Sequence, residues 1–511
     1  MRTLVPVSVV LLVAGPVWAF AQSTTASPYI PISHWSMPFI EQLIDAGVIT
    51  DPTPLTRPFK QRDVLRALRA LDTTRLDPTT RGTIHRIMRE WQADTTRPTY
   101  RVELSAGAQV ANYAFRDPLE LGRDTVGATT RLHVLDPRGY GSAGGEADLR
   151  FGPFVAVSHL VVDTRVQHDP DWYGVVDNAT RFDEAYVNGQ WHYAEVFFGI
   201  LDRNWGPSAV QGLLLSPNPY GPNHLEFEVG TQSVRLQSVS MQLDTRDSAG
   251  HPTTRYLIEN RLWIRPKGRW TLAVWDASAI SGVGRQLEPW FLNPAGITYF
   301  ASSNTGTNGN NFMGVDVERH AKVTMFGQFM IDDIQVSRKN EADYKPASYG
   351  LTVGAKGALA PRASWLFFYT QVANLTYRNE DDLQTPQYHN LPSGRNFDDY
   401  DQATAKLRVL AARTLVLEPE LTLLRQGEGD PREQHPLVPA YRSTPVLFQG
   451  IVQRTVRAAV AASWQAGDCS VVANAGVHFT SNAGHVTGVS QTQFVGSLAV
   501  TYRFHHEAPL P

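Results

Sequence analysis

Two hydrophobic periodicities divide the chain. Between residues 28 and 98 apolar positions recur at helical spacing. Phe39, Ile40, Leu43 and Ile44 form one stripe that Gly47 ends, and Val64, Leu65, Leu68 and Leu71 form a second. Asp77-Pro78 reads as an N-cap followed by proline at the first helical position, opening a third helix that turns Ile84, Ile87, Met88 and Trp91 inward. Short helices with one apolar face each bury too little to be stable alone, so this part is expected to lean on something larger. From Tyr100 the period becomes two. Val102, Leu104, Ala106, Ala108 and Val110 alternate with Arg101, Glu103, Ser105 and Gln109. Arg255 to Ile264 repeats the pattern before Pro266-Lys267-Gly268 turns the chain into Trp270, Leu272 and Val274. Similar runs fall near 148–162, 184–200, 231–243, 313–336, 348–358, 363–377, 403–424, 446–465, 469–480 and 491–504, several of them long enough for a hairpin.

Strands of about ten residues with one polar face suit a transmembrane β-barrel better than a soluble sandwich, whose strands run shorter. Trp263, Trp270, Trp275, Trp290, Phe291, Tyr299 and Phe300 gather near strand ends, as do Trp365, Phe367, Phe368, Tyr369 and Tyr377. Such clusters suit the girdles of a barrel in a membrane, or the core of a soluble β protein. The final run, Leu498, Val500, Tyr502 and Phe504, is similar to the aromatic-ended last strand of outer-membrane barrels, and His505 to Pro511 then reads as a tail. The expected fold is all-β, a transmembrane antiparallel barrel over 99–504 behind a helical plug or cap over 22–98. Polar segments near 116–147, 163–181, 301–311, 378–402 and 426–445 are expected to be loops, the longer ones facing outward. Loops on a rigid scaffold are where binding sits.

Composition narrows the function classes. Arg2, the apolar stretch Leu4 to Val17 and Ala19-Phe20-Ala21 read as a signal peptide over residues 1–21, with Gln22 as the mature start and no cysteine there for a lipid anchor. No later apolar run nears the roughly 18 residues of a membrane helix. A net charge of -3 offers no basic surface to nucleic acid. The single cysteine, Cys469, excludes an internal disulfide and any CxxC site. No G-x-S-x-G, P-loop or H-E-x-x-H occurs. Gly139 to Gly144 fits G-x-G-x-x-G but follows Asp-Pro-Arg rather than an apolar strand, so it reads as a flexible loop. Asp332-Asp333 are neighbours on a strand and point to opposite faces, so a shared metal is not expected. Neither catalysis nor a cofactor is therefore expected.

The strongest candidate site lies in Gly199 to Ser216, GILDRNWGPSAVQGLLLS. The chain leaves the apolar run Val196 to Phe198, turns through Asp202-Arg203-Asn204-Trp205-Gly206-Pro207, and re-enters an apolar run at Leu213 to Leu215. Trp205 sets an aromatic face beside the adjacent opposite charges of Asp202 and Arg203. The structural reading is that Asp202 and Arg203 pair with each other or with the barrel wall, and that Trp205 is a girdle residue. Arg285, Glu288 and Trp290, a charged pair flanking a Pro-Trp turn, form the second candidate group, read either as lining the polar lumen or as a loop clamp.

This passage resembles the wG-P signature of the capsule assembly Wzi family. Glu184-Ala185-Tyr186, Gly199, Asp202-Arg203, Trp205-Gly206-Pro207 and Leu213 to Ser216 carry the resemblance. Arg285 to Trp290, Asn311, Gly314, Asp316 and Gln328 to Asp333 continue it in the family's order. The resemblance implies an outer-membrane barrel of about eighteen strands with a helical N-terminal part, holding capsular or other surface polysaccharide without catalysis. For that role Asp202, Arg203, Trp205, Arg285, Glu288 and Trp290 are the candidate polysaccharide-binding residues, since sugar rings stack on aromatic faces and their hydroxyls and acidic groups pair with polar and charged side chains. A general or substrate-specific porin is the competing expectation. Separately, residues 28–71, with His34-Trp35, Gly47 and Thr56-Arg57, resemble one S-layer homology repeat, which implies contact with a cell-wall polymer.

Overall fold

The computed structural model describes residues 26–91, 97–113, 115–120, 125–126, 129–130, 134–169, 171–172, 174, 179–217, 220–248, 250–306, 309–336 and 338–510. The expected signal peptide and its cleavage site lie outside these residues.

Alternating apolar and polar positions fold into strands that each pair with the next, and the sheet closes on itself as a barrel of 18 antiparallel strands. The first six are β1 (Thr99–Tyr113), β2 (Val134–Phe151), β3 (Phe154–Asp163), β4 (Thr180–Gln190), β5 (Ala194–Ile200) and β6 (His224–Gly230). There follow β7 (Val234–Gln242, its line continued by Arg246–Ser248), β8 (His251–Ile264), β9 (Trp270–Val283), β10 (Gly309–Arg319), β11 (Val323–Asp333) and β12 (Ser348–Ala360). The last are β13 (Ala363–Val372), β14 (Tyr400–Ala412), β15 (Leu415–Gln426), β16 (Gln453–Ala466), β17 (Cys469–Ser481) and β18 (Ser490–Pro509). Among the described residues the closed barrel has no unpaired edge strand, as a bilayer demands.

Along β18 the outward positions Leu498, Val500, Tyr502 and Phe504 are 41 to 60% exposed, and across the closing seam Val110 and Leu104 of β1 face the same way. Phe198, Val274, Phe367 and Phe494 continue this apolar outer surface around the barrel. Large apolar side chains in the open on successive strands have no reason to be there in water and are at home in lipid. The chain is an outer-membrane β-barrel.

Three expectations need correction. His505 to Pro509 are not a tail, because they extend β18 opposite Glu103 to Thr99, whose backbone groups would otherwise form an open edge. Gly139 to Gly144 are not a flexible loop but part of β2, paired with Val110 to Ser105 of β1. Of these, Gly144 serves close packing, since a Cβ on it would stand 2.7 Å from Ser105 Oγ. The aromatics do not all form girdles: Trp270 and Phe367 face outward, whereas Trp263, Trp275 and Phe368 are buried on the inner face.

Short turns such as Gly152-Pro153 and Arg413-Thr414 connect the strands at one end, the periplasmic end in barrels of this type. Long segments join them at the other. The helical part closes the short-turn end with α1 (Met37–Asp45), α2 (Gln61–Arg69) and α3 (Pro78–Glu90). Gly47, at φ 70°, follows α1, and the Asp77 carboxylate accepts the Thr79 and Thr80 N–H groups at 3.0 and 3.2 Å at the start of α3. Its core continues into the barrel through Leu410 of β14 and Val416 of β15, while Thr83 Oγ1 donates to the Arg413 carbonyl at 3.1 Å. From this cap Pro54 to Arg57 reach inside the barrel. There Trp263 Nε1 donates to the Pro54 carbonyl (3.0 Å), and Arg261 donates to the Leu55 carbonyl and Thr56 Oγ1, both at 2.9 Å.

Candidate functional site

The segment after β5 turns into the lumen. Gly199 sits at φ 141°, where a Cβ would stand 2.1 Å from the Ala185 carbonyl oxygen, so only glycine allows this backbone bend against β4, with which β5 stays paired through Ile200. Gly206, at φ 134°, makes a second such bend against the Gln328 amide of β11. Between them Asn204-Trp205 pair as a short antiparallel ribbon with Thr56-Arg57 of the helical part. A loop from the long-loop end and a segment from the helical cap thus meet inside the barrel.

This geometry places the predicted residues individually. Arg203, 4% exposed, is clamped to β6: it forms an ion pair with Glu226, donates from Nε to His224 Nε2 at 2.8 Å, and lies 4.4 Å from the Phe197 ring centre. It pairs with the wall, not with Asp202. Asp202 is half-buried with no hydrogen bond or ion pair among the described residues, and burial, reinforced by Asp183, pushes its carboxyl up to about 7. Trp205 is 3% exposed, packed with Leu213, Leu214, Met241, Trp275, Phe312 and Met330, with the Arg261 guanidinium 5.2 Å from its ring centre. It is neither a girdle residue nor open to a sugar from outside. Leu213 to Leu215, the apolar run that the chain re-enters, are buried in the same cluster. Their run of three is too short to span a membrane and long enough to fill a lumen.

A second segment, residues 373–399 between β13 and β14, folds in from the outer side and locks onto the first. The Tyr377 hydroxyl donates to the Leu213 carbonyl, Ser216 N–H donates to the Ser393 carbonyl at 2.9 Å, and Arg395 donates to the Gln211 carbonyl at 3.4 Å. The wall holds both. Gln328 of β11 accepts Leu213 N–H and donates to the Trp205 carbonyl, each at 2.9 Å, and Lys356 of β12 donates to Ser208 Oγ at 3.2 Å. Asp316 of β10, fully buried, accepts from Arg261 (2.8 Å) and from Trp275 Nε1 (2.9 Å) behind Trp205. The result is an ordered plug.

Arg285, Glu288 and Trp290 lie elsewhere, in the loop between β9 and β10 at the long-loop end. Arg285 Nε bonds Glu288 Oε1 at 3.0 Å and Nη1 bonds the Ser281 carbonyl at 3.0 Å, a clamp over the buried Phe291. Trp290 is 45% exposed. The two predicted groups therefore do not converge on one site. Next to the clamp, the short helix α4 (Thr298–Thr305) presents Tyr299 and Phe300 to solvent. It borders an open cleft of about 460 Å³ lined by Ser302, Ser303, Asn311, Asn379, Asp381 and Gln384. In the sequence the stretches 301–311 and 378–402 read only as polar loops, and their shared wealth of hydroxyls, amides and carboxylates is the signal of the cleft.

Asp332 and Asp333 have separate partners, Tyr377 N–H at 2.9 Å and Lys345 at 2.8 Å. Within the S-layer-like stretch, Trp35 is buried, and Arg57 is 2% exposed and bonded to Glu41 (2.7 Å) and Asp51 (2.8 Å). Those side chains serve the cap and its junction with the barrel.

The class is thus an outer-membrane β-barrel with an occupied lumen and a helical cap. No protein-family model matches the chain, and no curated protein matches it in sequence. In fold it is similar to Wzi of Escherichia coli, an outer-membrane protein involved in group 1 capsule assembly that is a carbohydrate-binding β-barrel. The TM-score is 0.60, covering 96% of this chain and 100% of that one at 13% identity, a likeness of fold. Two Pseudomonas aeruginosa outer-membrane proteins cover less of it. OpdK reaches a TM-score of 0.45 at 11% identity, over 80% of this chain and 99% of that one. OprD reaches 0.42 at 11% identity, over 80% and 95%.

Proposed function

We propose that this chain is a non-enzymatic barrel that binds surface polysaccharide through its outer loops and helps to attach or assemble the capsule at the cell surface. The observation that carries the reading is the occupied lumen: a barrel whose interior is spanned by cross-bonded segments is built to present its outer face rather than to pass solutes. The likeness in fold to a carbohydrate-binding barrel supports it. So does the outer end, where exposed Trp290, Tyr299 and Phe300 stand beside a polar cleft, the mixture of apolar faces and hydrogen-bonding groups that sugars need. In this reading Arg203 and Trp205 set the plug, and Arg285 with Glu288 holds the loop that displays Trp290. The apolar outer surface contacts outer-membrane lipid.

The competing reading, a porin, requires the contacts among residues 201–217, 373–399 and the wall to open. The test is cellular. A strain lacking the protein should shed polysaccharide into the medium that the parent keeps on its surface. Restoring the wild type should recover it, and restoring Trp290→Ala should recover less. Unchanged retention in the deleted strain, with slower uptake of small solutes, would replace this function with the porin.

A further inference from the structure

Inside the barrel, between the plug and the wall formed by β13 to β16, lies a cavity of about 240 Å³. Its charged lining consists of Arg57, Arg395, Lys406 and Arg457 against Asp117 and Glu420. Three of the cations are compensated. Arg57 is held by Glu41 and Asp51, Lys406 by Glu420 at 2.9 Å, and Arg457 by Asp117 and by Glu420 at 3.1 Å. Arg395 is not. It is 8% exposed, donates from Nε to the Tyr400 hydroxyl at 2.6 Å and from Nη1 to the Gln211 carbonyl, and has no carboxylate within salt-bridge distance among the described residues. A buried guanidinium without a counter-charge is costly, and the natural partner of its planar fork is a carboxylate.

The space is larger than a bare anion needs, since about 10–15 Å³ of such volume already holds a water. Phe368 and Phe397, both nearly buried, supply apolar walls, and Asn396 and Gln402 supply amides. An apolar face with hydrogen-bonding groups at the rim is suited to a sugar ring. We propose that this cavity binds one pyranose unit bearing a carboxylate, with the carboxylate on Arg395 and the ring against Phe397. The choice of a sugar over another carboxylic acid rests on the polysaccharide reading above; the anionic group does not.

Calorimetry on the full chain, folded in detergent, tests this with glucuronate, glucose and acetate as probes. The expected result is saturable glucuronate binding, at least tenfold weaker binding of glucose and of acetate, and at least a tenfold loss for glucuronate in Arg395→Gln. Should that variant not fold, the wild-type ranking of the three probes decides alone. Glucose equal to glucuronate, or no binding of either, overturns the proposal, and acetate equal to glucuronate overturns the sugar. Retention of intact surface polysaccharide by the same preparation separates the two readings. If polymer binds and glucuronate does not, this inference fails alone. If glucuronate binds and polymer does not, the inference holds and the capsule function fails.

Discussion

Trp205→Ala removes an indole from the centre of the plug without touching any strand-to-strand hydrogen bond. The side chain is 3% exposed and packed among Leu213, Leu214, Trp275, Phe312 and Met330. Truncating a buried aromatic to alanine costs about 3–5 kcal/mol, part lost transfer energy and part the cavity left behind. The barrel ladder is unchanged, so the cost falls on the closed arrangement of residues 201–217 against Thr56-Arg57 and Gln328. At about 1.4 kcal/mol per decade, the ratio of open to closed plug should rise by roughly two to four decades. Planar-bilayer recording reads this directly: the wild type should stay near baseline, and the variant should show frequent openings. Heat-modifiable migration on gels should meanwhile report an intact barrel. A variant as quiet as the wild type, with an unchanged melting temperature, would refute the assignment of Trp205 to the plug's core.

Other expectations follow from the same contacts. Arg261→Gln leaves the buried Asp316 carboxylate without its ion pair and should destabilise the plug by about 3–5 kcal/mol. Arg261→Met with Asp316→Leu should recover much of that loss in thermal melts. Asp202 gives a pH signature. Its folded pKa of about 7 lies above the ordinary value of about 3.9, so its contribution to stability is fully present below about pH 4 and is lost as the pH rises through 7. Asp202→Asn should therefore melt higher than the wild type at pH 8 and alike at pH 4; the opposite order would contradict the burial. Trp290→Ala, on an exposed loop, should change stability by no more than about 0.5 kcal/mol while weakening polysaccharide binding, measured on the same folded sample.

The strand periodicity made the barrel legible, because inner and outer faces alternate residue by residue and lipid demands apolar outer positions. The helical cap was legible for the same reason at a different period, down to Gly47 and Asp77. What sequence could not reveal was which way an aromatic points. Trp270 and Trp275 both sit on β9, five residues apart, and so face opposite sides. The segment around Trp205 stands out in the sequence, but its placement depends on a partner, Thr56-Arg57, far away along the chain. Long-range docking of that kind leaves no local pattern. Likewise residues 139–144 read as a loop because their pairing with Val110 to Ser105 is not visible locally, and only that strand explains Gly144.

The central claim, a closed barrel that binds polysaccharide, is tested most directly by a binding isotherm of detergent-folded wild-type protein against the polysaccharide from its own cell surface, with bilayer conductance recorded on the same preparation. The account predicts saturable binding from a protein that passes almost no current. Absence of binding together with a large, steady conductance would contradict it and leave a channel.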